Sequence, residues 1–382
     1  MKLPIFHNQY LDALVRKKLA INMKENYSTS DMDALIQHVE NGDELSLREI
    51  DVAAEMLLDS ETCDEKKVRF LKALTKKGET PAEIAGFVEA FLERAVDPEV
   101  ASMELDGPTI DVCGTGGDKL DLFNVSTTSM FIIAAGGAIV VKHGNRGITS
   151  KSGGADVLEA LGINIEHSPE DFRKCLKHAG VGFLFAQLYH PAFKVVAPVR
   201  AALAKEGVRT IFNLIGPLLN PSRPECQLVG VCDPDLDSAY ADILQRLGRD
   251  SAWVVHGNTA DGRPVDEVSL LGSTRICKSG GYQSIVDEEV LPQDFGFTPC
   301  EVEDLQGGGA EVNAVILTDI LSGKEKGPKR EMVLLNAGAG LACAGLVDSL
   351  GEGVTLAAEL IDSGKALERL TKLQEISQSL SA

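Results

Sequence analysis

The chain contains, in succession, Thr109-Ile-Asp-Val-Cys-Gly-Thr-Gly-Gly-Asp118, Asn124-Val-Ser-Thr-Thr-Ser129, the apolar run Met130 to Ala135 and the run Ala138-Ile-Val-Val141. A short β-prone run, a glycine-rich turn, a helix and a second β-prone run follow one another within about 30 residues. This order predicts two strands that lie side by side in a parallel sheet.

The alternation continues along the chain. Further β-prone runs occur at Gly182 to Phe185, Gln227 to Val231 and Ala252 to Val255, separated by helical segments such as the one capped by Ser168-Pro169 and the amphipathic Leu236 to Leu247. Residues 106–382 are therefore predicted to form an α/β domain with a central, mostly parallel sheet flanked by helices. In that architecture, ligands bind at the carboxyl ends of the strands.

Before Pro108 the sequence contains amphipathic helical segments in place of β-prone runs. Three amphipathic segments begin with a hydroxyl residue followed three positions later by an acid: Ser30 with Asp33, Ser46 with Glu49, and Thr80 with Glu83. This pattern is typical of helix starts. Residues 1–105 are predicted to form a helical N-terminal domain, with the first ~30 residues as an extension and part of 165–205 packed against it.

Composition excludes several classes of protein. The 382 residues include 37 Lys+Arg and 57 Asp+Glu, a net charge of −20, which disfavours nucleic acid as a partner. The longest apolar stretch, Met130 to Val141, is shorter than the ~20 residues of a membrane span.

Since no secretory signal is evident and the eight cysteines show no CxxC spacing, we expect free thiols and a cytoplasmic protein. Cys175 and His178 lack a second pair for zinc.

Three segments have the composition of an anion site. The glycines of 114–118 can aim successive N–H groups at a phosphate, although, taken alone, this segment favours a plain tight turn. The hydroxyl residues after Asn124 precede a predicted helix. The N-terminus of a helix favours anions, but these residues could equally serve as an ordinary helix cap. Residues 142–154 hold three cations, three hydroxyls and four glycines in 13 residues of an acidic protein, which predicts anion binding.

An acidic pair, Asp266-Glu267, follows the strand Ala252 to Val255 after a polar loop. Beside a phosphate site, such a pair suits Mg²⁺, which prefers oxygen ligands and shares its shell with substrate phosphates. Adjacent acids are also common as plain surface charge.

Taken together, the motifs resemble those of the anthranilate phosphoribosyltransferases. The resemblance runs from about Asp43 to Leu373. It rests on segments in the family's order: 114–118, 124–127, 142–146, 152–162, His190-Pro-Ala, Val199-Arg200, Thr210-Ile-Phe-Asn-Leu-Ile-Gly-Pro-Leu-Leu-Asn-Pro221, Asp266-Glu267, Leu334-Leu-Asn-Ala337 and Gly351-Glu-Gly-Val354.

The resemblance implies a homodimer of two-domain subunits, with the active site between the domains, and an Mg²⁺-dependent reaction that joins anthranilate to phosphoribosyl pyrophosphate in tryptophan biosynthesis. It implies that phosphoribosyl pyrophosphate is bound by Gly114, Gly117, Asp118, Asn124, Ser126, Thr127, Lys142, His143, Gly144, Asn145, Arg146, Thr149, Ser150 and Gly154. It implies anthranilate binding by Gly114, Asn145, His143, His190 and Arg200, and metal binding by Ser126, Asp266 and Glu267. A structural role for each histidine and a surface salt bridge for Arg200 are the alternatives.

The residue types suit this chemistry. Anthranilate's amine is already a nucleophile, so no covalent protein nucleophile is expected and positioning matters most. The sequence also departs from the family pattern: Leu122 and Gly154 stand where a threonine and a serine are common, Thr149 takes a usual serine position, and 258–265 is longer than usual. We expect altered affinity rather than lost activity.

Three alternatives stay open at this point. A pyrimidine nucleoside phosphorylase shares part of the pattern, but a serine follows its Lys-His pair, where this chain has Gly144-Asn145. A non-catalytic binding paralogue should have lost the acidic pair or Arg200 and gained a basic face. A paralogue acting on another aromatic amine would have the same motifs.

Overall fold

The computed structural model describes residues 29–147, 151–281 and 284–380, and of Thr29 and Ser30 only the backbone. The N-terminal extension before Thr29 and the predicted site residues Thr149 and Ser150 lie outside the described residues. The N-terminal helices are α1 (Thr29–Glu40), α2 (Leu47–Leu58), α3 (Asp64–Lys77) and α4 (Pro81–Leu92).

The predicted helix starts are confirmed at two of three positions. Ser46 with Glu49 and Thr80 with Glu83 form reciprocal capping boxes at the starts of α2 and α4. The third prediction is wrong, because α1 already includes Thr29, so Ser30 lies within that helix rather than at its cap.

The predicted α/β fold is confirmed. The strands are β1 (Thr109–Gly114), β2 (Ile139–Gly144), β3 (Val181–Phe185), β4 (Cys226–Gly230), β5 (Ser251–Asn258), β6 (Pro264–Val265), β7 (Thr274–Ser279) and β8 (Val286–Val290). They form one sheet in the order β3-β2-β1-β4-β5-β7-β8, with β6 paired to β5. The five strands from β3 to β5 are parallel, whereas β6, β7 and β8 are antiparallel.

Helices follow most strands of the sheet. They are α5 (Val125–Ala135), α6 (Gly154–Ala160), α7 (Pro169–Ala179), α8 (Ala186–Tyr189), α9 (Phe193–Lys205), α10 (Asp237–Arg246), α11 (Val302–Leu305), α12 (Ala310–Leu321), α13 (Pro328–Cys343), α14 (Leu350–Asp362) and α15 (Lys365–Leu380). No helix in the described part of the chain is long and apolar enough to cross a bilayer.

The sheet separates two main apolar cores. Successive residues of one strand point to opposite faces, so Leu228 packs into a core built with α5 and α13 to α15, while Val229 packs into the other. That second core combines α1 to α4 with α9, α10 and the short turns around Ile211 and Leu218. The helical N-terminal segment therefore shares its core with one face of the sheet.

Two features of the sheet were not predicted. Strands β7 and β8 extend it past β5, and residues 258–265, the longer loop noted in the sequence, form a tight hairpin. In this hairpin Asn258 pairs with Pro264, and the N–H of Thr259 donates to the carbonyl of Arg263 at 2.9 Å. The extra residues return the chain to the sheet immediately before Asp266.

Candidate active site

The predicted site residues gather at the carboxyl edge of the parallel strands. Strand β1 ends at Gly114, β2 at Gly144 and β4 at Gly230. The loops that follow these strands contain the glycine-rich segment and the basic segment, so the topology brings the two predicted anion sites to one edge.

The glycine-rich loop contacts the acidic pair directly. Gly116 and Gly117 have φ values of +68° and +99°, which glycine adopts without strain. The N–H of Gly116 donates to Asp266 Oδ2 at 2.7 Å, and a Cβ on Gly114 would lie only 2.3 Å from the same oxygen. The loop backbone therefore folds around one carboxylate, and Gly114 is needed for that close approach.

The acidic pair lies where ionisation of both carboxyl groups is disfavoured. Asp266 and Glu267 are half-buried. Burial, together with the charge of the nearby Asp118, raises the pKa of Asp266 to about 6. Burial, together with the charge of Asp266, raises the pKa of Glu267 well above its ordinary range. Because ionisation of both groups is disfavoured without a counter-charge, the pair is suited to a divalent cation.

Ser126 and Lys142 adjoin Glu267. The Ser126 N–H, in the first turn of α5, donates to the Glu267 carboxylate, and Lys142 Nζ donates to Ser126 Oγ at 3.2 Å and to the carbonyl of Val112. Lys142 is only 4% exposed. The predicted metal set is therefore together in space, with one buried cation beside it.

A metal here would need ligands from elsewhere. The described residues contain no group of three or more His, Cys, Asp or Glu side chains placed to hold a metal ion. Two carboxylates and one hydroxyl match the manner in which Mg²⁺ usually binds, with waters and substrate phosphates completing its shell.

Asn124 ties the start of α5 to the basic loop. Its side chain makes no cap hydrogen bond, so the simple capping alternative is wrong. Instead, Asn124 Nδ2 donates to the carbonyl of Ser152 at 3.1 Å, and Asn124 Oδ1 accepts from Asn313 Nδ2 at 2.7 Å. Asn313, which is buried on α12, was not found from the sequence.

Asp156 holds the two ends of the basic loop together. Its Oδ2 accepts the N–H of Gly147 at 2.9 Å and that of Gly153 at 2.8 Å. Sequence reasoning missed this residue, although an acid in the first turn of α6 was a usable signal. Arg146 forms ion pairs with Glu159 and Asp156, and its guanidinium lies 5.4 Å from the centre of the Phe185 ring.

Gly154, one of the departures from the family pattern, lies close to a buried hydroxyl. A Cβ there would lie 3.0 Å from Oγ1 of the buried Thr127. A serine at this position would require Thr127 to move. A similar close approach occurs at Gly144, where a Cβ would lie 2.9 Å from the ring of Phe183. Leu122, the other departure, forms an isolated β-bridge with Gln306.

The two predicted histidines are in contact. The rings of His143 and His190 are 5.4 Å apart and nearly perpendicular. Burial, with the neighbouring His190, lowers the pKa of His143 to about 3, so this ring is neutral. His190 Nε2 lies 2.8 Å from the carbonyl of Leu219, which fixes the proton on that nitrogen. His143 Nε2 is buried and has no partner in the described part of the chain.

Arg200 extends this cluster through aromatic rings. His190 packs on Phe193, Phe193 on Phe212, and the Arg200 guanidinium lies 5.3 Å from the centre of the Phe212 ring. Burial lowers the pKa of Arg200, and among the described residues no carboxylate forms an ion pair with it. The salt-bridge alternative is therefore not seen among the described residues, and the guanidinium of this half-buried arginine has no carboxylate partner there. Asn145, by contrast, is exposed and lies 3.4 Å from Gln187.

A buried network beneath the site was also missed. Asp111, fully buried on β1, accepts the N–H of His143 at 3.2 Å and Asn220 Nδ2 at 2.9 Å. Asn220 also donates to the carbonyl of Val141 at 2.7 Å. This network fixes the end of β2 where His143 and Lys142 lie.

Comparison with known proteins agrees with the fold. Residues 106–367 match the glycosyl transferase family a/b domain, and residues 33–95 match that family's helical bundle domain. The chain is 43% identical over 348 residues to the anthranilate phosphoribosyltransferase of Petrotoga mobilis, covering 91% of this chain and 97% of that one. It is 44% identical over 341 residues to that of Desulfosudis oleivorans, covering 89% and 96%.

Solved structures agree as well. The anthranilate phosphoribosyltransferase of Thermus thermophilus superposes with a TM-score of 0.81 at 38% identity, covering 90% of this chain and 99% of that chain. The Saccharomyces cerevisiae enzyme in complex with PRPP and Mg superposes with a TM-score of 0.79 at 26% identity, covering 92% and 99%. The conserved fold, the spacing of the motifs and the length matched leave one conclusion: this chain belongs to the anthranilate phosphoribosyltransferase family.

Proposed function

We propose that this chain transfers the phosphoribosyl group of phosphoribosyl pyrophosphate (PRPP) to the amine of anthranilate, releasing pyrophosphate, as a step of tryptophan biosynthesis. The observation that carries the proposal is the contact between Gly116 N–H and Asp266 Oδ2 at 2.7 Å. It joins a phosphate-type loop to an acidic pair that, given its raised pKa values, needs a cation.

The metal would be Mg²⁺, held by Ser126, Asp266 and Glu267. Bound there with PRPP, it would stabilise the negative charge that develops on the pyrophosphate. The remaining predicted PRPP contacts would be backbone N–H groups at Gly114, Gly117 and Gly154, polar side chains at Asp118, Asn124, Thr127 and Asn145, and the segment Lys142, His143 and Gly144. Thr149 and Ser150, which lie outside the described residues, stay predicted contacts. Arg146 would have to leave Glu159 to contribute.

The acceptor would lie against the neutral histidines. Arg200 would bind the anthranilate carboxylate with two parallel N–H donors, which a lysine does not offer. The buried His143 Nε2, which has no hydrogen-bond partner among the described residues, would offer one polar contact to the aromatic acid, with Gly114, Asn145 and His190 as further predicted contacts. Orientation of an amine that is already nucleophilic then supplies most of what the protein must do.

No side chain serves as a covalent nucleophile in this proposal. The thiol at the site, Cys113, is a weak candidate because burial raises its pKa strongly and keeps it protonated. As the bond between ribose and pyrophosphate breaks, negative charge would develop on the pyrophosphate. Fixed donors, such as the loop N–H groups and Lys142, would stabilise that charge.

The remaining assignments complete the proposal. Residues 1–105 would form the helical domain and 106–382 the catalytic domain. The enzyme would be a homodimer in the cytoplasm, and neither nucleic acid nor a membrane would be a partner. The eight free cysteines suit a reducing compartment, and light scattering on a sizing column measures the oligomeric state directly.

The test is to mix the protein with anthranilate, PRPP and Mg²⁺ and to follow the loss of anthranilate fluorescence. We expect metal-dependent loss, abolished in Asp266→Asn/Glu267→Gln and retained in the charge-matched control Glu288→Gln/Glu289→Gln at the sheet edge. A wild-type protein that is folded but inactive contradicts the proposal and favours another aromatic amine as acceptor, or a binding protein. Unchanged rates in the double variant contradict the metal assignment alone.

A further inference from the structure

A buried amide on α13 contacts the chain next to the acidic pair. Asn336 is 1% exposed. Its Oδ1 accepts the N–H of Val268 at 2.8 Å, and its Nδ2 donates to the carbonyl of Val268 at 2.9 Å. One side chain thus pairs both polar groups of a single residue, as a neighbouring strand would. Val268 is the residue immediately after Glu267.

The same segment is restrained on both sides. One turn before Asn336, the sulfur of Met332 accepts the N–H of Leu270 at 3.3 Å, while the Met332 carbonyl accepts from Asn336 Nδ2 at 2.9 Å. On the other side, a Cβ on Gly257 would lie 2.5 Å from the carbonyl oxygen of Glu267. The backbone that carries Glu267 is therefore fixed between α13 and β5.

Asn336 and the predicted metal ligands also border one small void. A cavity of about 10 Å³ is lined by Asn336, Glu267, Ser126 and their neighbours. A space of this size holds one water molecule at most. Because Asn336 and Glu267 border the same small space, loss of the amide would change the surroundings of Glu267.

We propose that Asn336 is a positioning residue of the metal site: by holding both polar groups of Val268, it keeps the Glu267 carboxylate beside Ser126. The inference rests on the proposed function, because it concerns the metal site assigned there. It also gives a role to the segment Leu334-Leu-Asn-Ala337, which the proposed chemistry leaves unused.

The test compares Asn336→Leu and Asn336→Ala with Leu335→Ala. Leu335 is fully buried on the same helix, so its truncation loosens α13 without removing a polar contact. Mn²⁺ substitutes for Mg²⁺ at oxygen ligands and is followed by water-proton relaxation in the presence of PRPP, with a protein-free Mn²⁺–PRPP blank. Loss of a residue that orients a metal ligand weakens metal binding by about 10- to 100-fold.

We expect that loss in both Asn336 variants, wild-type Mn²⁺ affinity in Leu335→Ala, and an unchanged KM for anthranilate throughout. Unchanged Mn²⁺ affinity in the Asn336 variants, or an equal loss in Leu335→Ala, overturns the inference. If Asn336→Leu does not fold, Asn336→Ala decides. A wild-type protein that holds no Mn²⁺ overturns the metal assignment and this inference with it, whereas wild-type binding with unaffected variants overturns the inference alone.

Discussion

The acidic pair should make the metal-free protein less stable than a neutralised variant. In Asp266→Asn, the side-chain oxygen still accepts the Gly116 N–H, but the half-buried charge is gone. The pKa of Asp266 is raised to about 6, from about 3.9 in an unfolded chain, which corresponds to about 3 kcal/mol as an upper limit for a carboxyl that keeps some solvent contact.

The sign follows from proton binding. Between pH 4 and 6 the folded protein holds the Asp266 proton more tightly than the unfolded chain does, so wild-type stability falls as the pH rises through this window. Relative to the wild type, Asp266→Asn should gain about 1.5 kcal/mol at pH 5 and about 3 kcal/mol at pH 7.5. Mg²⁺ with PRPP should stabilise the wild type and not the variant, because only the wild type binds the metal well.

The assay is urea unfolding followed by the fluorescence of Trp253, the single tryptophan of the chain, which is buried on β5. The exposed Asp106→Asn is the control for a change of charge alone, and it should leave stability unchanged at both pH values. A gain that is absent, or that is the same at pH 5 and pH 7.5, would show that folding does not raise the pKa of Asp266.

Three further results are expected. Arg200→Lys should raise the KM for anthranilate by about tenfold or more and leave that for PRPP nearly unchanged, because one ammonium cannot replace a two-point contact; equal effects in initial-rate measurements would mean that Arg200 is structural. Gly230→Ala should cost more than about 3 kcal/mol in urea unfolding, since its Cβ would lie 1.6 Å from the carbonyl oxygen of Asp266; a stable variant with normal metal response would contradict this. Asp156→Ala should raise the KM for PRPP by about tenfold, because two charge-assisted hydrogen bonds at the neck of the basic loop are lost; a normal KM would show that the loop holds its shape without them.

Most of the fold could be predicted because the five parallel strands are buried on both faces. Their runs are mostly apolar, as in Ala252 to Val255, and the first four in chain order end at a glycine or run directly into a helix. Strands β7 and β8 could not be predicted in this way. Thr274–Ser279 carries Arg275 and Lys278, and Val286–Val290 contains three consecutive acids. The charged side chains of these two strands face solvent at the sheet edge and form ion pairs with one another. Strands β7 and β8 therefore lack the apolar runs by which the parallel strands could be predicted.

The site was less predictable than the fold. Residues 116 and 266 meet across 150 positions, and only the resemblance to a family put them together. Asn313 and Asn336 were missed because a lone asparagine within an apolar helix has no spacing signal. Their partners lie 189 and 68 positions away, and such contacts depend on how the helices pack on the sheet.

The N-terminal helices and the sheet should unfold together, because they share one apolar core. Phe91 of α4 packs against Phe212 and Phe193, and the same cluster continues to Val229 and Val254 in the sheet. Cleaving the chain after residue 105 would expose an apolar surface on each of the two fragments. Exposed apolar surfaces of this kind promote self-association. The two segments should therefore melt in a single calorimetric transition, and neither should be recoverable as a well-behaved fragment.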